Sequence, residues 1–521
     1  MYLILWIICC VHTAWSLRPP LDKPNIVVLF ADDFGYGDLS SYGHPSQEFG
    51  PIDQMAREGI RFTNWYSASS LCTPSRAAIL TASESVALQA IPFNPEGRSP
   101  IRSGVYARDI PDRVFEPYSS GGLPREEITL AEALKELGYT TGMVGKWHLG
   151  INAHNFRDGY HLPTHHGFDY VGATLPFTNH WDCDTEKVHL DSPLQSYCYL
   201  YYNKTMVQQP INHHNLTETF VYDAKAFIYN SVEQPFFLYL SFAHTHTNLF
   251  AGPKFRGSSR RGRYGDDVNE MAWAVGEVLE VLNSTGLSGN TLVIFTSDNG
   301  PHLEKCQESG SSGILKGGKG TTWEGGLRMP AVAWWPGVID SGQVNHELVA
   351  QWMSLTAVDI AGGTLPSDRI IDGKSIKSVL LKGERSPHEI MFFHCNDRLM
   401  AVRYGAYKLH FHVHALPSEE LLQTASCFSG GFPTRNWYHC IDCYGSCITS
   451  HDPPLIYDVD ADPGESYPLP AGQHEGMLAK VTALIKDFEE NLTLPYPQIN
   501  DSMDLRLNPC CNPPYCSCPS K

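Results

Sequence analysis

Four strand-like runs, rich in β-branched and aromatic residues, recur along the N-terminal part of the chain, and each ends in a polar cluster. Asn25–Ala31 (NIVVLFA) runs into Asp32 and Asp33, and 139–144 into Gly145, Lys146, Trp147 and His148. Residues 236–242 (FFLYLSF) lead to His244 and His246, and 291–296 (TLVIFT) to Asp298, Asn299 and Gly300. Apolar runs that do not alternate predict strands buried on both faces. Between them the period changes. Thr129 and Glu132 form a capping box for a helix over 129–137, with Leu130, Leu134 and Leu137 on one face and Gly138 closing it. Val268, Met271, Val275, Val278 and Leu282 recur at helical spacing and read as core. Strands alternating with helices predict a mostly parallel α/β sheet. Such sheets bind ligands beyond the carboxyl ends of their strands, so the four polar clusters can converge on one crevice.

From about Pro366 the pattern shifts. Residues 390–393 and 400–407 read as short antiparallel strands, a loop carries Cys427, Cys440, Cys443 and Cys447, and Val481, Leu484, Ile485 and Phe488 mark a last helix. The expected organisation is a signal peptide at 1–16, a larger domain at 17–365, and a smaller α+β domain with a Cys-rich tail at 366–521. The signal rests on the apolar run 3–11 followed by Ala14 and Ser16; an uncleaved anchor is the alternative. No later segment is long and apolar enough for a span, which predicts a soluble secretory protein without stable membrane insertion.

Composition narrows the partners. Of 521 residues, 42% are hydrophobic and 18% charged, as in an ordinary globular protein. A net charge of −18 argues against nucleic acid and repels anions at long range, so any positive potential must be local. With Cys9 and Cys10 leaving with the signal and Cys72 set aside, the cysteines form an even set, which suggests disulfides. Cys510, Cys511, Cys516 and Cys518 look like a small knot, and the lack of interspersed histidine disfavours zinc there. Sequons at Asn203, Asn215, Asn283, Asn491 and Asn500 suit a glycoprotein.

The sharpest candidate chemistry lies at 71–81, LCTPSRAAILT. Pro74 suits a first helical turn and Ala77, Ala78 and Leu80 favour its continuation, so Cys72 sits at a helix N-terminus, where unpaired N–H groups attract anions. Arg76 falls one turn on, on the same face. Taken singly, each element has a plainer reading: Cys72 a buried thiol, Asp32 and Asp33 a solvated turn, Lys146 a surface charge. The glycine-rich stretch 317–326 can bring Lys319 near an anion, but it lacks the P-loop pattern.

C-x-P-S-R followed by small and apolar residues resembles the sulfatase signature, in which the cysteine is oxidised during secretion to formylglycine. ADDFGYGDL, KWHLG, HTH, SDNGP, GKGTTWEGG and CCNPPYCSC follow in the family's order, so nearly the whole mature chain resembles the lysosomal arylsulfatases of the A and G group. The resemblance implies an alkaline phosphatase-like α/β fold, a large mixed, mostly parallel sheet between helices with a smaller C-terminal α+β domain. It also implies hydrolysis of sulfate esters of glycolipids, glycans or aryl alcohols. Position by position, it assigns one Ca²⁺ to Asp32, Asp33, Asp298, Asn299 and the modified Cys72. Arg76 and Lys146 would hold the hydrated aldehyde, and His148 would be the base. His246 and Lys319, with Lys146, would bind the sulfate and assist the leaving oxygen. Thr178 falls near a substrate-contacting serine of the family. One hydroxyl of the hydrate would attack sulfur, and the second would let sulfate leave.

The implied biosynthetic partner is the formylglycine-generating enzyme and the implied address the lysosome, with secretion as the alternative; self-association stays open. Protonation of many of the 23 histidines would offset the negative charge in an acidic compartment. Two departures stand out. Residues 82–96 separate Leu80 and Thr81 from Gly97 and Arg98, which are contiguous in the family, and Pro92 and Pro95 prevent simple extension of the helix. Slower conversion of Cys72 is expected from this insertion, and a catalytically impaired glycan-binding relative is one alternative. A phosphodiester or phosphonate hydrolase is another. In addition, Gly317 stands where arylsulfatase A has a cysteine.

Overall fold

The computed structural model describes residues 23–81, 88–89, 101–102, 114–179, 183, 197–351, 354–364, 371–396, 398–414, 443–490 and 504–518. The expected signal sequence, Cys9, Cys10, Cys427, Cys440, Asn491, Asn500 and the 82–96 insertion apart from Leu88 and Gln89 lie outside them. The strands, in chain order, are β1 (Asn25–Ala31), β2 (Ile60–Tyr66), β3 (Leu88–Gln89), β4 (Ile101–Arg102), β5 (Thr140–Lys146), β6 (Tyr170–Leu175), β7 (Leu200–Tyr202), β8 (Thr205–Gln208), β9 (Phe236–Ser241), β10 (Thr291–Ser297), β11 (Arg328–Trp334), β12 (Gln343–Asn345), β13 (Val349–Ala350), β14 (Ile390–Cys395), β15 (Arg398–Tyr404), β16 (Tyr407–His414) and β17 (Ile448–Asp458).

Among the described residues, a large sheet runs in the order β12–β2–β11–β10–β1–β9–β5–β6–β7–β8, with β13 also on β2. Its centre, β10–β1–β9–β5–β6, is parallel throughout, and antiparallel pairs appear toward both edges. The apolar run of β1 explains why both faces are covered. Ile26, Val28 and Phe30 join a core with the helices Cys72–Thr81 and Leu130–Glu136. Val27, Leu29 and Ala31 join another with the helices Pro51–Glu58, Leu216–Asn230 and Arg263–Ser284. The predicted capping box is present at Thr129 and Glu132, and Gly138 takes a φ of +86° just past that helix. All five apolar positions expected in the long helix at Arg263–Ser284 are buried.

Two strands outside that centre, β2 and β11, escaped the sequence pattern. β2 mixes polar residues into its run, and β11 contains Pro330. The proline is accommodated because the register shifts between Met329 and Ala331, a bulge at which no ladder N–H is required.

A smaller antiparallel sheet, β14–β15–β16–β17, follows, with the helix Glu475–Glu490 against it. Phe488 stacks on Phe392 at 4.2 Å between ring centroids. The stretch expected to be extended at 400–407 is interrupted by a turn, because Gly405 adopts φ +55° and reverses the chain between β15 and β16. The cysteine-rich tail returns to the large sheet. Asn152 Nδ2 donates to the Leu507 carbonyl at 3.0 Å, and the Cys518 N–H donates to the Gln209 carbonyl at 2.8 Å. Disulfides join Cys183 to Cys198, Cys395 to Cys443, Cys510 to Cys516 and Cys511 to Cys518. Cys306 and Cys447 are also disulfide-bonded, and Cys72 is free and buried.

Candidate active site

The four polar clusters meet because the strands that deliver them are parallel neighbours. Asp32 and Asp33 follow β1, Asp298 and Asn299 follow β10, Lys146 ends β5, and His246 lies beyond β9. Cys72 opens the helix Cys72–Thr81, every residue of which is buried, and its Sγ lies 3.6 Å from Asp32 Oδ1.

Three carboxylates and three cations interleave around it. Lys146 Nζ donates to Asp32 Oδ2 at 2.6 Å. Arg76 Nη2 donates to Asp298 Oδ2 at 2.7 Å and lies 3.4 Å from Asp32 Oδ1, while Nη1 donates to Ser241 Oγ at 2.7 Å. Lys319 Nζ sits 2.7 Å from Asp33. Burial alone would lower the Lys319 ammonium, but attraction to Asp33, Cys72 and Asp32 outweighs it and raises its pKa. Burial pushes the Cys72 thiol above its usual range, so in its encoded form it is a poor nucleophile.

The two histidines have readable tautomers. His148 Nε2 lies 3.1 Å from the Phe115 carbonyl, which can only accept, so Nε2 carries the proton and Nδ1 a lone pair. That Nδ1 is buried with no hydrogen-bond partner. Burial, then the charges of Lys146 and Arg76, hold His148 well below the ordinary imidazole range, so it is neutral and able to accept a proton. His246 directs Nδ1 at the carbonyls of Asn179 (2.8 Å) and Thr247 (2.7 Å), leaving Nε2 on the cluster side, 3.9 Å from Asp33 Oδ2.

The donor set suits a hard divalent cation. The ligating atoms of Asp32, Asp33, Cys72 and Asp298 lie within 4.8 Å of one another. Asn299 donates Nδ2 to Asp33 Oδ1 and to the Gly300 carbonyl, which leaves its buried Oδ1 without a partner. An oxygen so placed among carboxylates is what a calcium-type ion takes. The thiol is the one soft donor in the set, and an oxygen at position 72 would make the set uniform.

The Thr178 hydroxyl donates to the Asn179 carbonyl at 3.4 Å, the same carbonyl that accepts from His246 Nδ1. Sequence reasoning missed Asn179, Ser241 and His302, whose Nδ1 is 4.0 Å from Asp33 Oδ2. Ser241 and His302 flank recognised strand ends, a signal that could have found them. Gly317, where a cysteine was expected from the resemblance, has φ +71°, and a Cβ there would lie 2.6 Å from Thr321 Oγ1, so the turn leading to Lys319 requires glycine.

Residues 24–362 match the family model described as sulfatase, and 386–518 match that of the C-terminal region of aryl-sulfatase. An arylsulfatase from Hemicentrotus pulcherrimus is 49% identical over 496 residues, covering 95% of this chain and 86% of its own. Arylsulfatase A from Bos taurus is 37% identical over 526 residues, with 95% of each chain covered. The crystal structure of the PsFucS1 sulfatase from Pseudoalteromonas sp. aligns with a TM-score of 0.73 at 28% identity, over 90% of either chain. These likenesses extend across arylsulfatases and do not single out the A and G group.

Proposed function

This chain belongs to the sulfatase family and is a sulfuric ester hydrolase of arylsulfatase type; we propose that it cleaves sulfate esters of glycans, glycolipids and aryl alcohols at Cys72 converted to formylglycine, with one Ca²⁺. The observation that carries this reading is Cys72 at a helix start, 3.6 Å from Asp32, inside a buried cage of Asp32, Asp33, Asp298, Arg76 and Lys146.

Asp32, Asp33, Asp298 and Asn299 would hold the cation, which would supply Lewis-acid stabilisation of negative oxygen. The hydrated aldehyde would supply one hydroxyl to attack sulfur, breaking the ester S–O bond and releasing the alcohol, and a second whose deprotonation would expel sulfate and restore the aldehyde. The chain's own groups do the rest. Arg76, fixed by Asp298 and Ser241, keeps a guanidinium at the helix start, and Lys146 is held beside it by Asp32. Together with Lys319 they form preorganised positive charge facing an anion. His148, neutral and with an unpartnered Nδ1, is suited to accept a proton beside Cys72. His246 keeps Nδ1–H on carbonyls, so its Nε2 accepts a proton, and only in the doubly protonated form would it pass that proton to a leaving oxygen. Thr178 would act beside His246, through the Asn179 carbonyl that both contact.

The disulfides fit assembly in an oxidising compartment, and we assign the lysosome as the working address. No described helix is long and apolar enough to cross a membrane. The test combines two readouts on secreted protein: the mass of the tryptic fragment 62–76, and hydrolysis of 4-nitrophenyl sulfate against 4-nitrophenyl phosphate. Aldehyde at position 72, with sulfate cleavage that Cys72→Ala abolishes, is the expected result. An unmodified thiol with no sulfate cleavage overturns it.

A further inference from the structure

Behind the cage, one buried hydroxyl stands where the loops that build it meet. Tyr264, on the helix Arg263–Ser284, is buried, and its hydroxyl lies 2.7 Å from Thr245 Oγ1 and 2.8 Å from Asp38 Oδ2. The chemistry of the partners fixes the direction of both hydrogen bonds. Asp38 faces Arg261 Nη2 at 2.6 Å, and its oxygens also take the backbone N–H groups of Gly35 and Ser311, each at 2.7 Å, so this carboxylate only accepts. Tyr264 therefore gives its proton to Asp38 and accepts that of Thr245.

Each partner lies one step from the chemistry. Thr245 immediately precedes His246, its N–H donates to the Asp32 carbonyl at 2.6 Å, and the Asp32 N–H donates to the His244 carbonyl at 2.7 Å. The strand end bearing the acidic pair is thereby zipped to the segment bearing His246. Asp38 closes the turn that begins at Asp32 and Asp33, through the Gly35 N–H. It also holds the start of the segment that reaches Lys319, where the Gly37 N–H adds a second tie to the Ser311 carbonyl at 2.8 Å. At the far end of that segment Lys319 Nζ returns to Asp33 at 2.7 Å. The backbone crosses the hydroxyl so closely that a Cβ at Gly310 would lie 2.4 Å from Tyr264 Oη. The segments that supply Asp32 and Asp33, His246 and Lys319 are thus all referenced to one oxygen.

We propose that Tyr264 is a positioning residue for sulfate ester cleavage: its hydroxyl keeps these three segments in register without touching the substrate. The inference rests on the sulfatase reading for the reaction served, and on the hydrogen bonds alone for the register. Tyr264→Phe keeps the ring and removes only the oxygen. Asp38 then retains Arg261 and both N–H groups, so the fold survives, while Thr245 loses its acceptor and is free to turn to the Asp32 carbonyl, 3.4 Å from its hydroxyl. In the full secreted chain, with rates expressed per aldehyde at position 72, kcat for 4-nitrophenyl sulfate should fall about tenfold or more and KM move less than about twofold, as slight misplacement of reacting groups implies. Thr245→Val breaks the same chain of hydrogen bonds, so the double variant should be no slower than the slower single one. An unchanged kcat, a loss confined to Tm, or losses that multiply in the double variant overturn the proposal. Hydrogen exchange read by mass needs no turnover: Tyr264→Phe should quicken exchange in peptides covering 32–38, 244–248 and 311–319 and leave the C-terminal sheet as it was. Unchanged exchange in those three segments also overturns the proposal. Failure of the sulfatase reading would register separately, as absence of aldehyde and of aryl sulfate cleavage in the unsubstituted chain, with the exchange result then deciding the register.

Discussion

Glu465 Oε2 accepts the backbone N–H of Glu324 at 2.7 Å, so a carboxylate that follows β17 fixes the end of the loop carrying Lys319. Its other oxygen lies 2.6 Å from His410 Nε2 and 3.5 Å from Lys408 Nζ, all with fully buried side chains, and its carbonyl accepts from Lys316 Nζ at 3.3 Å. Removing the carboxylate strands buried partners. Glu465→Ala should cost about 3–5 kcal/mol and Glu465→Gln distinctly less, read from urea unfolding midpoints. A neutral result for the alanine variant would remove this contact as the link between the C-terminal sheet and the site.

The same network has a pH signature. Burial would raise the Glu324 carboxyl, but Lys408, Arg328 and Arg403 outweigh it and bring it down to about 2. A folded-state value below the unfolded one, near 4.3, adds stability that is complete above the unfolded value and disappears as pH falls through the folded one. The contribution is roughly 3 kcal/mol, about half of it gone by pH 3. Unfolding midpoints measured from pH 6 to pH 3 should fall less steeply in Glu324→Gln than in the unsubstituted protein.

Arg76 makes two kinds of contact at once, to Asp298 and to Ser241, which a lysine cannot reproduce. Arg76→Lys is expected to lower kcat for aryl sulfate about 100-fold or more. Peptide mass of the region around position 72 would separate lost catalysis from lost aldehyde, and full activity in the lysine variant would refute the role given to the guanidinium.

Chelation offers an orthogonal check. Elemental analysis should find one calcium per chain, and EGTA should lower both Tm and sulfate cleavage, with calcium restoring them. Asn299→Ala, which removes the unpartnered Oδ1, should weaken calcium retention; unchanged metal content would exclude that atom from the ligand set.

Residues 82–96 directly follow the Cys72 helix, where the resemblance leads to an expectation about modification. Deleting 82–96 is expected to raise the fraction of aldehyde at position 72, measured by peptide mass; equal fractions with and without the segment would dispose of the idea.

The convergence of Asp32, Asp33, Asp298, Asn299 and Lys146 was legible because they follow strand ends that a parallel sheet presents together, while their roles came from the family resemblance. Asn179 was not legible, since its role comes from backbone and amide contacts to His246 and Asn248 that no local pattern encodes. Strand β11 was hidden by Pro330, whose tolerance depends on a bulge created by its partner β2. The ties of Glu465 to Glu324 and of the tail to Gln209 join residues far apart in sequence and have no local signature.

Cys72 is only 2% exposed, sealed under the sheet's strand ends and at the head of a helix with no exposed face. Another protein can reach such a thiol only while the chain is still open. On the proposed conversion of Cys72, oxidation and folding would therefore run as competing rates on each newly made molecule, and the winner would decide whether that molecule is ever an enzyme. A substitution far from the site that hastened closure would leave a stable, well-formed and silent protein. Specific activity in a purified sample would then report the history of the chains as much as their structure.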